Sequence, residues 1–259
     1  MSGLIVQSKG QILEIIIDRP KANVIDSKTS RELNRLFLEF DQSDEYRVAI
    51  LTAAGQNYFC TGADLKELDE KHGDVDYGPN GFAGLTHFTS LSKPVIAAVN
   101  GVCVGGGFEM MLACDLIVSS QHAEFFLSET LIGNVPFLVS IQRLLGRLPR
   151  NIAMEMLYTG RRMASEELLT FGVINSVVPA EHLRETAYQL AEQIIAAAPL
   201  SVSACKQASA LVESISTSET AELSKVKRVE FFDSVMSSED AKEGARAFVE
   251  KRKPTWRGC

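Results

Sequence analysis

The fold of this chain is decided by the stretch Lys93-Pro94-Val95-Ile96-Ala97-Ala98-Val99-Asn100-Gly101 and by the run Gly105-Gly106-Gly107-Phe108-Glu109 shortly after it. The uninterrupted apolar residues at 94–99 are typical of a strand buried on both faces. Three consecutive glycines between this strand and the apolar helix that follows indicate either a close approach of the backbone to another group or tight helix–strand packing. The start of a helix also presents unpaired N–H groups and the positive end of its dipole, which suits an anion or a developing oxyanion.

Strands and helices alternate on the N-terminal side of this stretch. Residues 12–18 are mostly apolar and β-branched and are stopped by Arg19-Pro20, which predicts a strand. Asp26 and Ser27 are candidate N-caps of a helix with apolar residues at the i, i+3, i+4, i+7 spacing. Residues 48–52 predict another buried strand, so the chain reads as an α/β layer fold.

The C-terminal part of the chain is more helical and more charged. We therefore predict a core domain over residues 1–197 and a C-terminal helical region over residues 198–259. The polar, glycine-rich segment 72–84 predicts an exposed loop of the kind that forms lids. The amphipathic stretches that predict C-terminal helices are 181–197, 200–213, 219–236 and 239–251.

Composition excludes several classes of protein. The 259 residues are 46% apolar, which is enough for a sizeable core, and 26 Lys and Arg against 33 Asp and Glu give a net charge of −7, so we expect no nucleic-acid partner. No apolar run reaches the roughly 18 residues of a membrane span, and no signal segment is recognisable. The five cysteines form no Cys-x-x-Cys pair, which indicates reduced thiols, and the four scattered histidines predict no metal site. We expect a cytoplasmic protein without a membrane partner.

Three specific functions of the glycine turn compete with simple packing. A phosphate-binding loop is excluded because no Lys follows the glycines, and a dinucleotide fingerprint fits poorly so far along the chain. The segment from Gly101 to Gly105 imitates a nucleophile elbow around Cys103, but the downstream His122 and His182 have no catalytic context. Cys103 is better interpreted as a small buried apolar residue.

Two carboxylates accompany the glycine turn. Glu109 lies within an otherwise apolar helix, where an ionised carboxylate is costly unless it has a partner or a task. Glu129 follows a strand and precedes Leu131-Ile132; a loop or N-cap role is the alternative. Two carboxylates near one helix start suit a reaction that needs both a proton donor and an activator of water.

Several separated motifs occur in one order over essentially the whole chain, and together they resemble the crotonase superfamily, the enoyl-CoA hydratase and isomerase group. Within it, residues 19–26 and 78–86 are most similar to the crotonobetainyl-CoA hydratase (carnitinyl-CoA dehydratase) branch. The matching motifs are Asp18-Arg19-Pro20-Lys21-Ala22-Asn23, Phe59-Cys60-Thr61-Gly62-Ala63-Asp64-Leu65-Lys66, the 93–101 stretch, Gly105-Gly106-Gly107-Phe108-Glu109, Ser128-Glu129 and Phe248-Val249-Glu250-Lys251-Arg252.

The resemblance implies an α/β fold of the ClpP/crotonase type, a spiral of ββα units with a C-terminal helical region that forms trimers or dimers of trimers. It implies an acyl-CoA thioester as substrate and no metal or separate cofactor. By resemblance, the backbone amides of Ala63 and Gly106 form an oxyanion hole, and Glu109 and Glu129 handle the water and the proton. The positions that resemble contacts to the substrate are Lys21, Ala22, Ala63, Asp64, Leu65, Lys66 and Phe137, with Phe248 and Lys251 from a neighbouring subunit.

The function that follows is hydration of an enoyl-CoA, or the reverse dehydration. An enoyl-CoA isomerase and a non-catalytic acyl-CoA-binding oligomer remain as alternatives. The chain departs from the family at Pro136-Phe137-Leu138-Val139-Ser140, where hydratases commonly have Pro-x-x-Gly-Gly. We expect a bulkier, more apolar loop at the acyl pocket, and Phe137 argues against a quaternary-ammonium substrate because it cannot form an ion pair with the cation.

Overall fold

A computed structural model describes residues 3–213, 215–226 and 230–259. Strands and helices alternate through the first two thirds of the chain, and helices dominate the rest. The strands in these ranges are β1 (Leu4–Lys9), β2 (Ile12–Ile17), β3 (Val48–Ala53), β4 (Tyr58–Cys60), β5 (Val95–Val99), β6 (Val102–Val104), β7 (Leu116–Ser120), β8 (Glu124–Phe126), β9 (Met163–Ala164) and β10 (Ser176–Val178). The helices are α1 (Ser27–Gln42), α2 (Leu65–Glu70), α3 (Gly106–Ala113), α4 (Leu138–Arg147), α5 (Arg150–Thr159), α6 (Ser165–Thr170), α7 (Leu183–Ile195), α8 (Pro199–Val212), α9 (Thr217–Val226), α10 (Glu230–Ser237) and α11 (Glu239–Glu250), with short 3₁₀ turns at Phe82–Gly84, Glu129–Ile132 and Ala180–His182.

The described strands form two sheets. The larger has the order β1-β2-β3-β5-β7-β10 and the smaller has the order β4-β6-β8-β9. All neighbours are parallel except β1 with β2 and β8 with β9. The chain forms three consecutive strand pairs, β3–β4, β5–β6 and β7–β8. In each pair the first strand belongs to the larger sheet and the second to the smaller, and a helix or 3₁₀ turn follows. This repeat is a spiral of ββα units, as the family resemblance implies.

Each face of the larger sheet has its own helical cover, which is why its central strands are apolar without alternation. On one face, Ile15 packs in the main core with Phe37 of α1. On the other face, Ile12 and Ile50 pack in a second cluster with Ala187 of α7. The predicted N-cap of α1 is confirmed, since Asp26 accepts a hydrogen bond from the Thr29 amide at 2.7 Å.

The segment 72–84 departs from the prediction of an exposed loop. Its first residues are exposed, but Phe82 is only 1% exposed and Ala83 is fully buried. The chain turns inward here because Gly84 lies directly against Asn34 of α1, where a Cβ at Gly84 would be 2.3 Å from the Asn34 Cα. The stretch 219–236, predicted to be helical, is described as α9 and α10 on either side of residues 227–229, which lie outside the described residues.

The C-terminal helices begin where the chain bends sharply. The helical segment 180–195 and the helix 199–212 meet at 103°. Within the described ranges, no single helix combines the length and apolar character that a membrane crossing needs, and this bent pair alone meets that criterion when its two halves are taken together. The domain boundary at 197/198 stays a prediction.

Candidate active site

One cavity of about 270 Å³ is lined by half of the site residues that the sequence singles out. Its wall includes the glycine turn at the start of α3, the segment between β4 and α2, and the turns after β8. The predicted residues that line it are Ala63, Leu65, Gly106, Glu109, Glu129 and Phe137.

The glycines of the turn are required by what lies against them. Gly105 has φ +53°, and a Cβ there would be 2.8 Å from Glu129 Oε1. A Cβ at Gly107 would be 2.2 Å from the carbonyl oxygen of Cys60 in β4. The turn therefore serves both of the purposes that the sequence left open, since Gly107 allows tight packing and Gly105 admits a carboxylate to the backbone.

The amides of Ala63 and Gly106 occupy neighbouring parts of the cavity wall. Ala63 pairs with Ile25 in a parallel bridge, in which Ile25 N–H donates to Gly62 O at 2.9 Å and Asp64 N–H donates to Ile25 O at 3.0 Å. This alternation directs the N–H of Ala63 away from Ile25. Gly106 opens α3, so its N–H has no acceptor within the helix. A Cβ at Gly62 would be 3.1 Å from Gly106 N, so the two backbone segments are in contact.

Glu109 is held at the inner end of the cavity. It is 2% exposed, and its Oε1 accepts a hydrogen bond from the Phe137 amide at 2.7 Å. Burial, followed by the charge of Glu129, raises the pKa of Glu109 to about 7, although the hydrogen bond from Phe137 opposes the shift. Near neutral pH this carboxyl can therefore accept or release a proton.

Glu129 approaches the same space from the 3₁₀ turn after β8. Burial raises its pKa, opposed by hydrogen bonds from the amides of Ser128 and Glu129 itself. Its Oε2 is buried and has no hydrogen-bond partner among the described residues. Two carboxyl groups with raised pKa values can share the roles of acid and base on one substrate.

Aromatic side chains form another part of the wall. The ring centroids of Tyr77 and Phe82 are 5.1 Å apart, and the Phe137 centroid is 6.5 Å from each of them. Phe137, where the sequence predicts a bulky lining of the acyl pocket, is one of the residues that line this cavity. Sequence reasoning missed Tyr77 and Phe82 as lining residues, although both lie in or beside the 78–86 motif that it matched to a family branch.

The remaining predicted contact residues lie beside the cavity or away from it. Ala22 adjoins Lys21, and its carbonyl oxygen accepts two hydrogen bonds from Thr61, a residue that lines the cavity. The Thr61 N–H donates at 3.2 Å and the Thr61 hydroxyl donates at 3.0 Å. Asp64 caps α2 and accepts from the Lys66 amide at 3.1 Å. Phe248 and Lys251, at the end of α11, are not among the residues that line this cavity of their own chain.

The alternative of a cysteine nucleophile finds no support in the structure. Cys103 is fully buried, and burial raises the pKa of its thiol well above the usual value. His122 instead donates to the Gln56 carbonyl at 2.7 Å, and His182 lies at the surface beside Glu185. Cys103 is a buried apolar residue, as the sequence favours.

Comparisons with known proteins show which family the chain resembles. The profile described as enoyl-CoA hydratase/isomerase matches residues 7–259. The carnitinyl-CoA dehydratase of Proteus mirabilis (strain HI4320) is 47% identical over 252 residues, which cover 97% of each chain, and that of Citrobacter koseri is 47% identical over 96% of each.

Solved structures give the same result. The crystal structure of an enoyl-CoA hydratase from Mycobacterium tuberculosis H37Rv superposes with a TM-score of 0.91 at 35% identity and covers 100% of both chains. A short-chain enoyl-CoA hydratase from Novosphingobium aromaticivorans, described as putative, superposes with a TM-score of 0.88 at 31% identity and covers 100% of this chain and 99% of its own. The resemblance inferred from the motifs is confirmed: the chain has the crotonase fold and belongs to the enoyl-CoA hydratase/isomerase family, as an enzyme of the hydratase type.

Proposed function

We propose that this enzyme adds water to, or removes it from, the α,β bond of an acyl-CoA thioester through an enolate held by the amides of Ala63 and Gly106. The observation that carries the proposal is the position of Glu109 and Glu129, both with raised pKa values, around the cavity that these amides line. The 47% identical relatives bear the name carnitinyl-CoA dehydratase, which favours dehydration of a β-hydroxyacyl-CoA as the physiological direction.

In the hydration direction, the thioester carbonyl accepts hydrogen bonds from the two amides. Attack of water oxygen on Cβ moves the double-bond electrons toward the carbonyl oxygen, which becomes anionic. Fixed N–H donors stabilise this charge, and loss of one such donor costs roughly 3–4 kcal/mol of barrier in other enzymes. Gly106 lacks a Cβ that would obstruct the thioester, and a Cβ there would also be 2.9 Å from the Phe82 ring.

The two carboxyl groups complete the proton balance. The ionised one takes a proton from the attacking water, and the protonated one delivers a proton to Cα as the enolate collapses. Burial raises the pKa of both groups, and the charge of Glu129 raises the pKa of Glu109 further, so an ionised Glu129 favours the protonated form of Glu109. Dehydration follows the same steps in reverse.

The CoA portion extends outward past Lys21, Ala22, Asp64, Leu65 and Lys66 in this proposal, and a neighbouring copy supplies Phe248 and Lys251. Phe248 and Val249 are 85% and 80% exposed on α11, which supports an assembly that covers them. We propose a homotrimer or a dimer of trimers in the cytoplasm, with no metal or separate cofactor.

The decisive experiment follows the loss of enoyl-thioester absorbance with crotonyl-CoA and related thioesters in water enriched in heavy oxygen. Hydration incorporates solvent oxygen into the product, whereas an isomerase moves the double bond without incorporation. We expect Glu129→Gln to lower kcat by roughly 100-fold or more, while Glu124→Gln, at a half-exposed side chain paired with Arg162, leaves kcat unchanged. Binding of thioesters by calorimetry without turnover of any of them would identify a non-catalytic binding protein instead.

A further inference from the structure

Glu67 joins α2 to the start of α1. Its side chain is 18% exposed, and its Oε2 accepts a hydrogen bond from the Ser27 amide at 2.7 Å. Its Oε1 accepts from the Ser27 hydroxyl, and from Lys71 Nζ at 2.7 Å. Lys71 Nζ also donates to the Ser27 hydroxyl oxygen at 3.3 Å, so each of the three side chains contacts the other two. Glu67, Ser27 and Lys71 are called the Glu67 clamp below.

The local sequence leaves Glu67 available for this contact. Asp64 and Glu67 have the spacing of a capping box, in which the second side chain accepts a hydrogen bond from the backbone amide of the first. That amide already donates to Ile25 O at 3.0 Å. Glu67 binds Ser27 instead, whose N–H lies in the first turn of α1 and has no acceptor within that helix. A carboxylate is also favoured at this positive end of the α1 dipole.

The packing of apolar side chains does little to hold α2. All six residues of this helix are described, and none of them is buried. A helix of this length has little stability of its own. Leu65 and Leu68 nevertheless belong to the cavity wall, so the position of α2 determines part of the shape of the site. The Glu67 clamp supplies the charged contact that fixes this position.

The clamp also restrains the segment that carries the Ala63 amide. Ile25 is bonded to the residues on both sides of Ala63 through the parallel bridge. Ser27 lies two residues beyond Ile25, and Glu67 lies four residues beyond Ala63. The bridge and the clamp therefore fasten the same two segments at successive points. Gly62, with φ +90°, precedes Ala63 and restrains its peptide plane little by itself.

We propose that Glu67 is a positioning residue for the reaction: through the clamp it fixes α2, and with it the direction of the Ala63 N–H that binds the thioester oxygen. This inference rests on the proposed function and adds a residue that acts from outside the reacting atoms. Glu67 is not among the described residues that line the cavity, so its effect passes through Ala63 and the wall formed by α2.

The clamp stays charged throughout the neutral range of pH. Burial, the largest single effect, raises the pKa of Glu67, but the hydrogen bonds from Lys71 and Ser27 lower it to about 2. Loss of the clamp should therefore lower kcat by one factor at every pH in this range. The limbs of the pH profile that report Glu109 should stay where they are in the wild type.

The test removes the clamp from either side. Glu67→Met keeps the length and helix propensity of the side chain but has no acceptor. Ser27→Pro removes both donors at the first helical position, where proline is favoured. We expect each variant to lower kcat for crotonyl-CoA by roughly 10-fold to 100-fold, and the double variant to lower it no further, because both changes break one contact. Glu70→Met, the same change at an exposed position of α2, should keep the wild-type kcat.

Acetoacetyl-CoA shows whether the loss arises at the oxyanion amides. Its enolate absorbs at longer wavelength than its neutral form, so the spectrum of the bound compound at fixed pH reports how well the site stabilises an oxyanion. We expect a roughly tenfold lower ratio of enolate to neutral form in the two clamp variants than in the wild type and in Glu70→Met. Urea unfolding shows that the compared variants are folded. Ser27→Ala removes only the hydroxyl and should give a smaller loss in both measurements, so the test does not depend on the variants that change most.

Wild-type kcat and a wild-type enolate ratio in the folded clamp variants, Ser27→Ala included, would overturn the role of Glu67 while hydration itself stands. An equal loss in Glu70→Met would also overturn it, because the effect would then belong to any change in α2. Absence of turnover of every enoyl thioester by the wild type is a different result: it rejects the proposed reaction, and with it the role of the clamp in that reaction.

Discussion

The backbone amide of Phe137 donates to Oε1 of Glu109 at 2.7 Å, across 28 residues of sequence. This bond joins the start of α4 to the middle of α3 and gives a buried carboxylate its one backbone donor among the described residues. It also couples the loop that departs from the family pattern to the group that we propose handles water or proton.

Glu109→Gln should change how stability depends on pH. The folded-state pKa of about 7 lies above the ordinary carboxyl pKa of 4.5, so the unfolded state releases this proton first as pH rises. The stability that Glu109 contributes is complete below pH 4.5 and is lost as pH approaches and passes 7. Between pH 5 and 8 the wild type should therefore lose roughly 2–3 kcal/mol that the Gln variant keeps.

Urea unfolding at both pH values measures this difference. Glu124→Gln is the control, because that carboxylate is half-exposed and paired with Arg162. Parallel pH profiles of wild type and Glu109→Gln would show that Glu109 does not titrate in this range.

Phe137→Pro should raise the pKa of Glu109 further. The φ of Phe137 is −60°, which proline adopts without strain, and proline has no N–H to donate. Phe137→Ala removes the same ring but keeps the N–H, so the pair isolates the hydrogen bond. We expect the limb of the kcat/KM profile that reports Glu109 to move to higher pH in the Pro variant than in the Ala variant; coincident limbs would contradict this account.

The sequence identifies part of this site for physical reasons. Glu109 is recognisable because a charge in an apolar helix needs an explanation, and the glycine turn is recognisable because three glycines in sequence are costly. Tyr77 and Phe82 give no such signal. They belong to an irregular segment whose inward turn depends on Asn34 of α1, a contact that no local periodicity reports.

The strand pairing in the smaller sheet is also beyond the reach of the sequence pattern. Strand β6 has three residues, Val102–Val104, between Gly101 and Gly105, which is too short to show a period. Its partners β4 and β8 are equally short. Long apolar strands such as β3 and β5 are predictable because each is buried on both faces.

Gly105→Ala should cause a large loss of kcat but only a modest loss of stability. The new Cβ would be 2.8 Å from Glu129 Oε1, and φ +53° is strained for alanine by roughly 1–2 kcal/mol. Gly10→Ala is the matched control, since φ there is +56° and nothing lies within 4 Å of the added Cβ. We expect both variants to unfold at lower urea concentration, but only Gly105→Ala to lose kcat, by roughly 100-fold or more, as the carboxylate is displaced. Equal kcat in the two variants would mean that the position of Glu129 does not matter for the reaction.

Gly107→Ala and Gly146→Ala should change stability in opposite directions. Both glycines lie in helices, α3 and α4, so alanine brings each the same intrinsic gain of about 0.5–1 kcal/mol. At Gly146 nothing lies within 4 Å of the added Cβ, so the gain should appear in full as a higher urea midpoint. At Gly107 the Cβ would be 2.2 Å from the carbonyl oxygen of Cys60, which belongs to β4 and is held in the smaller sheet. Neither backbone can move without breaking that pairing, so we expect a loss of roughly 3 kcal/mol or more, or no folded protein. A Gly107→Ala variant as stable as the wild type would show that α3 and β4 are not packed backbone to backbone.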